Sequence, residues 1–353
     1  MTRQFLADIV TSEQIPALAI AVSRETETIQ SLAFGHLNPS SESPSATTDT
    51  IFLVASITKP VVTTAVMLLV ERGLLKLDDL VHRLIPEFNN NGKEDVQVYH
   101  LMTHTSGLPD MLPENTQLRQ EHALLAEFVK RICQLPLDFT PGTQIQYQSC
   151  GIALLGEIIE RLTGNSLPHF LHVEIFQPLQ MHRTSLGLGP LPVDQIAYID
   201  VGAEMENESW NWNRDYWRNF AAPWGGMFST AKDLSRFGQM FLQQGKLGQQ
   251  QCVLSPATVE AMTADHTAYL PQIPANQKVK SAWGLGWRIH TPFNMLFGSL
   301  PSAGTFGHYG ATGTVTWIDL QRRVVCVILT SQPKAHQMGI LARCSNIVAA
   351  AID

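Results

Sequence analysis

Ser56 stands three residues before Lys59, in Val54-Ala55-Ser56-Ile57-Thr58-Lys59-Pro60, at the head of a run that is almost wholly apolar: Val61, Val62, Ala65, Val66, Met67, Leu68, Leu69 and Val70. A helix that is apolar all round belongs in the middle of a protein. Residues three apart lie on one helix face, so an amine is brought within reach of a hydroxyl that also faces the positive end of the helix dipole. A serine is a poor nucleophile until a neighbour takes its proton. A lysine desolvated against apolar surroundings has its pKa pulled down far enough to do so. The chemistry implied is attack on a carbonyl through a covalent acyl-serine.

The bare spacing is common, and it recurs at Ser229/Lys232 and Ser331/Lys334. The last contains Pro333, which disfavours the required helical turn. In the other, Thr230 and Asp233 are spaced as a capping box, a structural use of the segment. Two more segments carry chemical groups. Tyr147-Gln148-Ser149 lies between Pro141-Gly142 and a helical pattern at Cys150–Leu162, and His308-Tyr309-Gly310 runs to a strand edge where glycine permits close backbone approach. Taken singly, each has a plain structural reading, as a tyrosine anchoring a helix start and a satisfied histidine at a strand end.

Trp210, Trp212, Tyr216, Trp217, Phe220 and Trp224 crowd into one stretch. They read either as a plug anchoring a long loop or as the aromatic wall of a substrate pocket, with Trp217 and Trp224 as candidate substrate contacts. Arg214 and Arg218 interleave with them and offer cations to an anionic substrate group. His100 and His104 have i, i+4 spacing, but no third ligand follows at a matching interval, so no metal is expected. Neither a G-x-S-x-G elbow nor a glycine-rich phosphate loop occurs, which leaves no case for an ordinary α/β-hydrolase or for a cofactor.

Elements from both chain ends must position these groups. Pro16–Ser23 and Thr28–Phe34 predict one hairpin; Gly313–Leu320 and Arg323–Thr330, joined at Gln321-Arg322, predict a second, and Trp283–His290 a further strand. The strand at Arg323–Thr330 is apolar at consecutive positions, as a strand covered on both faces is. Helices are expected near residues 3–10 and over Gln337–Ile352. Between about Leu75 and Pro223 helical spacing dominates, at Leu77–Ile85, Val96–Thr103, His122–Leu135, Cys150–Leu162 and Leu167–Phe176. The fold class is therefore α/β plus all-α. Residues 1–74 and 224–353 form a discontinuous α/β sandwich, residues 75–223 a mostly helical insert, and the site is expected in the cleft between them.

Composition narrows the function classes. Of 353 residues, 31 are acidic and 24 are Lys or Arg, a formal charge of −7, and no basic tract is present, which argues against nucleic-acid binding. Charged residues are only 16% and hydrophobic ones 44%, consistent with large cores. The longest apolar stretch, Ala65–Val70 with its flanks, is far short of the ~20 residues of a membrane span. Asp8 interrupts the amino-terminal apolar pattern that a secretory signal needs, so a cytoplasmic protein is expected. Cys133, Cys150, Cys252, Cys326 and Cys344 are odd in number and widely spaced and read as buried small hydrophobes.

In their order, Ser56-x-x-Lys59, Tyr147-x-Ser149 and His308-x-Gly310 resemble the three-motif active site of the serine β-lactamase and penicillin-binding-protein superfamily. The nearest branch holds class C β-lactamases, D,D-peptidases, D-aminopeptidases and the β-lactamase-like esterases. Leu101-Met102-Thr103-His104-Thr105-Ser106-Gly107-Leu108-Pro109, Gly225-Gly226-Met227-Phe228-Ser229-Thr230 and Trp283-Gly284-Leu285-Gly286-Trp287 match as well. The resemblance implies a β-lactamase/transpeptidase-like fold, an antiparallel sheet flanked by helices with an inserted helical domain. It implies that Ser56 forms the acyl-enzyme, that Lys59 and Tyr147 share the proton transfers, and that the N–H groups of Ser56 and Ala311 make the oxyanion hole. Which of Lys59 and Tyr147 is the base stays open. An ammonium beside the phenol would lower the phenol's pKa, the two titrating as a unit. Ser149, His308, Tyr309 and Gly310 would meet the substrate, and no cofactor is implied.

Two departures shape the expected activity. Class C β-lactamases and D,D-peptidases usually have Asn where this chain has Ser149, and Lys-Thr/Ser-Gly where it has His308-Tyr309-Gly310. The strand lysine helps hold a substrate carboxylate in those families, whereas a histidine of ordinary pKa is mostly uncharged at neutral pH. A small-molecule ester loses nothing by the exchange, so a carboxylesterase is the expected function. The alternatives are a β-lactamase or D,D-peptidase/D-aminopeptidase acting on an amide with His308 in the lysine's place, and a non-catalytic binding protein on the same scaffold. Protonation of His308 would make activity fall below about pH 6. Oligomeric state is not legible in the sequence.

Overall fold

In the computed structural model, which describes residues 2–12, 15–39, 42–248, 251–295 and 297–352, both chain ends contribute to one antiparallel sheet. Its strands are β1 (Ala17–Arg24), β2 (Glu27–Gly35), β3 (Arg288–Ile289), β4 (Phe306–Gly310), β5 (Thr314–Asp319) and β6 (Val324–Thr330). Their spatial order is β2-β1-β6-β5-β4-β3. Both expected hairpins form, and β6 joins them by pairing with β1 and β5. The expected strand at Trp283–His290 shrinks to β3. Gly284 N–H bonds the Trp287 carbonyl at 2.8 Å, folding the segment into a turn, and Gly286 takes φ +81°, where a Cβ would collide with Thr63.

The long helices are α1 (Thr2–Ser12), α2 (Thr58–Glu71), α3 (Cys150–Thr163), α4 (Ala231–Leu242) and α5 (Ile340–Ala351). Alternation along the strands sorts them onto two faces. Leu18, Ile20 and Val22 of β1, with Cys326 and Ile328 of β6, pack with Leu6 and Ile9 of α1 and Ile340, Leu341, Cys344 and Val348 of α5. Ala17, Ala19 and Ala21, with Val325, Val327 and Leu329, belong to the larger core shared with Phe237, Met240 and Phe241 of α4. Small residues on that face of β1 let the helix approach closely. Consecutive apolar residues in β6 thus have the cause expected of them: both faces are covered.

α2 is buried from Thr58 to Leu69 and packs against α3. Most other helices of the middle segment are shorter than their periodicity suggests. Val81–Leu84, Val98–Met102 and Leu125–Ile132 are single pieces of the expected spans, and Leu167–Phe176 divides into an α-helical Leu167–Leu171 and a π-helical His172–Phe176. His104 and His122 sit at φ +60° and +51°, left-handed positions that a continuing helix does not tolerate. A small sheet of Phe52–Leu53, Met227–Ser229 and Ser185–Leu186 ties the lead-in to Ser56 to the start of α4. Thr230 caps α4 by accepting the Asp233 N–H at 3.1 Å, while the Asp233 carboxylate turns to Arg183 and Thr184, so half of the expected capping box forms. Cys133, Cys150, Cys326 and Cys344 are buried as expected, but Cys252 is exposed, lying on the short strand Gln251–Cys252 that pairs, among the described residues, only with Lys246–Leu247. No helix among the described residues is long and apolar enough to cross a membrane.

Candidate active site

The chain enters Ser56 through a strained corner. Ala55 has φ +48°, a left-handed conformation costing an alanine about 1–2 kcal/mol, and Ala55–Ile57 form a single 3-10 turn ahead of α2. Hydroxyl donors hold the corner. Thr312 Oγ1 donates to the Leu53 carbonyl at 2.6 Å, Thr314 Oγ1 to Val54 at 3.0 Å, and Thr58 Oγ1 to Ala55 at 2.6 Å. Gly310 explains the close approach of β4: a Cβ there would lie inside the van der Waals radii of the Val54 carbonyl oxygen and of Thr314 Oγ1. The same approach brings Ala311, just past the strand, to the wall of the Ser56 cavity. At a helix start the first N–H groups have no intrahelical acceptor, and the Ser56 N–H is one of these.

Lys59 Nζ lies 3.1 Å from Ser56 Oγ and donates to the Trp224 carbonyl at 2.8 Å. Its side chain is fully buried, and this desolvation, opposed by Asp110 and reinforced by Arg288, pulls its pKa down to about 7. Tyr147 completes the group: Lys59 Nζ sits 4.7 Å from its ring centroid, and the tyrosine lines the same cavity as Ser56. Burial pushes the phenol well above its ordinary value, and neither the Ser56 hydroxyl nor the Arg288 guanidinium, both of which favour the phenolate, reverses this. The expected lowering of the phenol's pKa by an ammonium is therefore overturned, because at this depth desolvation outweighs the nearby positive charge.

A cavity of about 220 Å³ opens in front of Ser56, lined by Ala55, Asp110, Met111, Arg119, Tyr147, Ser149, Trp212, Trp217, Trp224, Gly225, Tyr309 and Ala311. Among the residues expected to meet substrate, Ser149, Tyr309, Trp217 and Trp224 are on its wall. Ser149 Oγ donates to Asp110 Oδ1 at 2.7 Å. His308 and Gly310 are not on the wall. The His308 ring is fully buried behind Tyr147, at 6.0 Å between centroids, with Nδ1 2.7 Å from the Tyr309 carbonyl. Burial, with Lys59 and Arg288 nearby, lowers the His308 pKa well below its ordinary value. The expected loss of activity below about pH 6 from its protonation is thereby corrected: the ring stays neutral through that range.

The aromatic stretch divides between the two readings given to it. Trp212, Trp217 and Trp224 are wall, while Tyr216 stacks on His122 at 4.6 Å and Phe220 packs on Phe128 at 5.0 Å. Arg214 donates to the Glu206 carbonyl at 2.7 Å, and neither it nor Arg218 reaches the wall of the Ser56 cavity. His100 and His104 are used as acceptors, His100 Nδ1 from Gln97 N–H and His104 Nδ1 from Gln148 N–H, each at 3.1 Å. His104 also packs on Trp283 and Tyr147, at 4.1 and 4.9 Å.

Three charged residues at the site carry no sequence motif of their own. Asp110 follows the Leu101–Pro109 segment directly and accepts Ser149 N–H and Cys150 N–H on its carbonyl at 2.9 and 3.0 Å. Arg288, on β3, lies against the rings of Trp283, Tyr309 and Tyr147 at 4.6, 4.9 and 5.3 Å. Arg119 lies against Trp217 at 4.4 Å. Only their adjacency to the recognisable segments, across long stretches of chain, singles them out.

Comparison with known proteins agrees with this architecture. A family model described as Beta-lactamase matches residues 2–344. Over 314 residues the chain is 30% identical to Penicillin-binding protein 4 of Amycolatopsis lactamdurans, covering 86% of this chain and 76% of that one. Over 320 residues it is 28% identical to the "Putative D-alanyl-D-alanine carboxypeptidase" of Escherichia coli (strain K12), covering 82% of this chain and 70% of that one. Among solved structures, EstCE1, a hydrolase with promiscuous acyltransferase activity, superposes with a TM-score of 0.80 at 22% identity, covering 98% and 97% of the two chains. The matched span takes in the whole sheet and the Ser56 cavity, and the chain belongs to the Beta-lactamase family, as a serine hydrolase with the β-lactamase/transpeptidase-like fold.

Proposed function

We propose that the protein is a carboxylesterase that works through an acyl-enzyme on Ser56. The observation that carries this reading is that β4 presents no cation to the cavity wall. At the position where related β-lactamases and D,D-peptidases hold a carboxylate with a strand lysine, His308 is buried and uncharged and Tyr309 faces the cavity. Lys59 serves as general base: with a pKa of about 7 a large share is free amine at neutral pH, and Nζ is 3.1 Å from Ser56 Oγ. The Ser56 proton passes to Nζ as Oγ bonds the ester carbonyl carbon, and the N–H groups of Ser56 and Ala311 receive the oxyanion. Tyr147, a neutral phenol, relays the proton from Lys59 to the departing alkoxide. Water then attacks the acyl-serine as the Lys59 amine takes its proton; the bond from the carbonyl carbon to Ser56 Oγ breaks, Nζ returns the proton to Oγ, and the carboxylic acid leaves.

Trp217, Trp224, Tyr309 and Ser149 bound the substrate in this scheme, and Gly310 and His308 support it from behind. We take residues 1–74 with 224–353 as one α/β unit and 75–223 as its helical insert. A cleft site suits this division, since Ser56, Trp224 and Ala311 come from the first and Asp110, Tyr147 and Ser149 from the second. A D,D-peptidase is the second reading, favoured by the name of the Escherichia coli relative.

Short-chain nitrophenyl esters, D-aminoacyl amides and a chromogenic cephalosporin, run side by side with wild type and Ser56→Ala, test the choice. Ester turnover that dominates the panel and is lost in Ser56→Ala is expected. Cephalosporin or amide turnover comparable with that of the esters overturns the ranking.

A further inference from the structure

The Ser56 cavity adjoins a second one of about 610 Å³ whose wall includes Asp200, Gly202, Met205, Trp210, Gln332 and Lys334. Arg119 and Trp212 line both and so stand at the junction. Arg119 belongs to the short helix Asn115–Gln120 of the middle segment and is mostly buried. One face of its guanidinium covers the Trp217 ring, and Nε is buried with no hydrogen-bond partner. Among the described residues its only resolved electrostatic partner is the Tyr216 phenol. By contrast the more exposed Arg72, Arg131, Arg161 and Arg323 each meet a carboxylate. Arg218 and Arg288 also keep a buried Nε without a partner, but of the three only Arg119 lines the Ser56 cavity.

A desolvated cation without a counter-ion is costly, and burial brings this one only to about 10, so it stays charged at neutral pH. Of the carboxylates on the two walls, Asp110 takes the Ser149 hydroxyl and Asp200 the Gln332 amide at 2.9 Å, and neither these nor Glu204 pairs with Arg119. The aromatic contact uses a face of the guanidinium and leaves its donor edge to a ligand.

We propose that Arg119 binds a carboxylate carried by the substrate, so that the esters handled at Ser56 are anionic, as hemiesters of short dicarboxylic acids are. This rests on the ester reading for the identity of the scissile bond, but the anion site stands apart from it. It also lies elsewhere than the strand position of the related lysine, coming from the helical segment instead of the sheet edge.

Two matched probe pairs separate the readings. The first compares nitrophenyl hemiglutarate with nitrophenyl valerate as substrates. The second compares nitrophenyl phosphonates with carboxylate or methyl-ester tails, which phosphonylate Ser56 Oγ with loss of nitrophenolate whether or not esters are turned over. In each pair the measured quantity is the ratio of the anionic to the neutral rate constant, kcat/KM or labelling rate. Wild type should favour the anionic member, Arg119→Gln should cut the ratio roughly tenfold to a hundredfold, the scale of a charge-assisted pair, and Arg119→Lys should restore part of it. A ratio that is the same in wild type and Arg119→Gln overturns the proposal, and so does a wild type without preference. An Arg119-dependent labelling ratio without ester turnover upholds the anion site and removes the ester reading. Ester turnover with an unchanged ratio does the reverse.

Discussion

On one side of the Ser56 cavity the carbonyls of Leu53, Val54 and Ala55 are each taken by a threonine hydroxyl, and Gly310 lets the sheet edge close against them. On the other side Trp217 Nε1 and Arg119 Nε are buried with no partner. The first side is over-determined: several independent bonds hold one strained alanine, the condition under which strain persists at a functional site. Arg288 Nε and His308 Nε2 are likewise unpartnered but lie behind the first wall, so that on the cavity lining itself only the second side carries polar capacity that the described residues do not use. Chemistry needs atoms held to a fraction of an ångström, whereas selectivity needs groups still open to a ligand. The difference assigns reaction to the wall around Ser56 and choice of substrate to the wall facing it.

Removing the base should have the largest effect. Lys59→Met is expected to lower ester kcat/KM by roughly 10⁴-fold, and activity within tenfold of wild type would show that the held wall does not contain the base. Gly310→Ala is the next test, because its Cβ meets the Val54 carbonyl. It should lower kcat about 10- to 100-fold for all esters alike and cost about 1–3 kcal/mol in denaturant unfolding. An effect confined to one acyl length would blur the division between the walls.

The pH profile sharpens the comparison. Lys59 acts as the free amine, so activity should rise as pH passes its pKa of about 7 and fall below it. Arg288 lowers that pKa and Asp110 raises it, so Arg288→Gln should move the acid limb of kcat/KM up and Asp110→Asn should move it down. A limb that neither variant moves would mean that another group titrates. The smallest effect is expected across the cavity. Trp212→Ala should change KM about fivefold with acyl size, as loss of an aromatic contact does, and leave the acid limb in place.

Much of the held wall is legible in the chain because it is local. Ser56 and Lys59 are one helical turn apart, Tyr147 directly precedes a clear helix, and β1 and β6 show their two-sided burial in consecutive apolar residues. His308 shows the limit of such reading. Its place beside Gly310 marks it for the substrate, yet the ring turns behind Tyr147 and is neutral there. Of the facing wall, Trp212, Trp217 and Trp224 stand out in the chain as one aromatic stretch, whereas Arg119 joins them only when a distant segment packs.

What the sequence by itself determined was the order of the motifs, the helix that carries Ser56 and the hairpins of the sheet, because backbone periodicity sets all of these over a few residues. What only the tertiary structure decided was that Arg119 reaches the cavity wall without a carboxylate, that burial holds the Tyr147 phenol high against the nearby positive charge, and that the His308 ring turns away from the cavity. Those follow from packing and from desolvation, which sums over every atom packed around a group, wherever in the chain that atom lies.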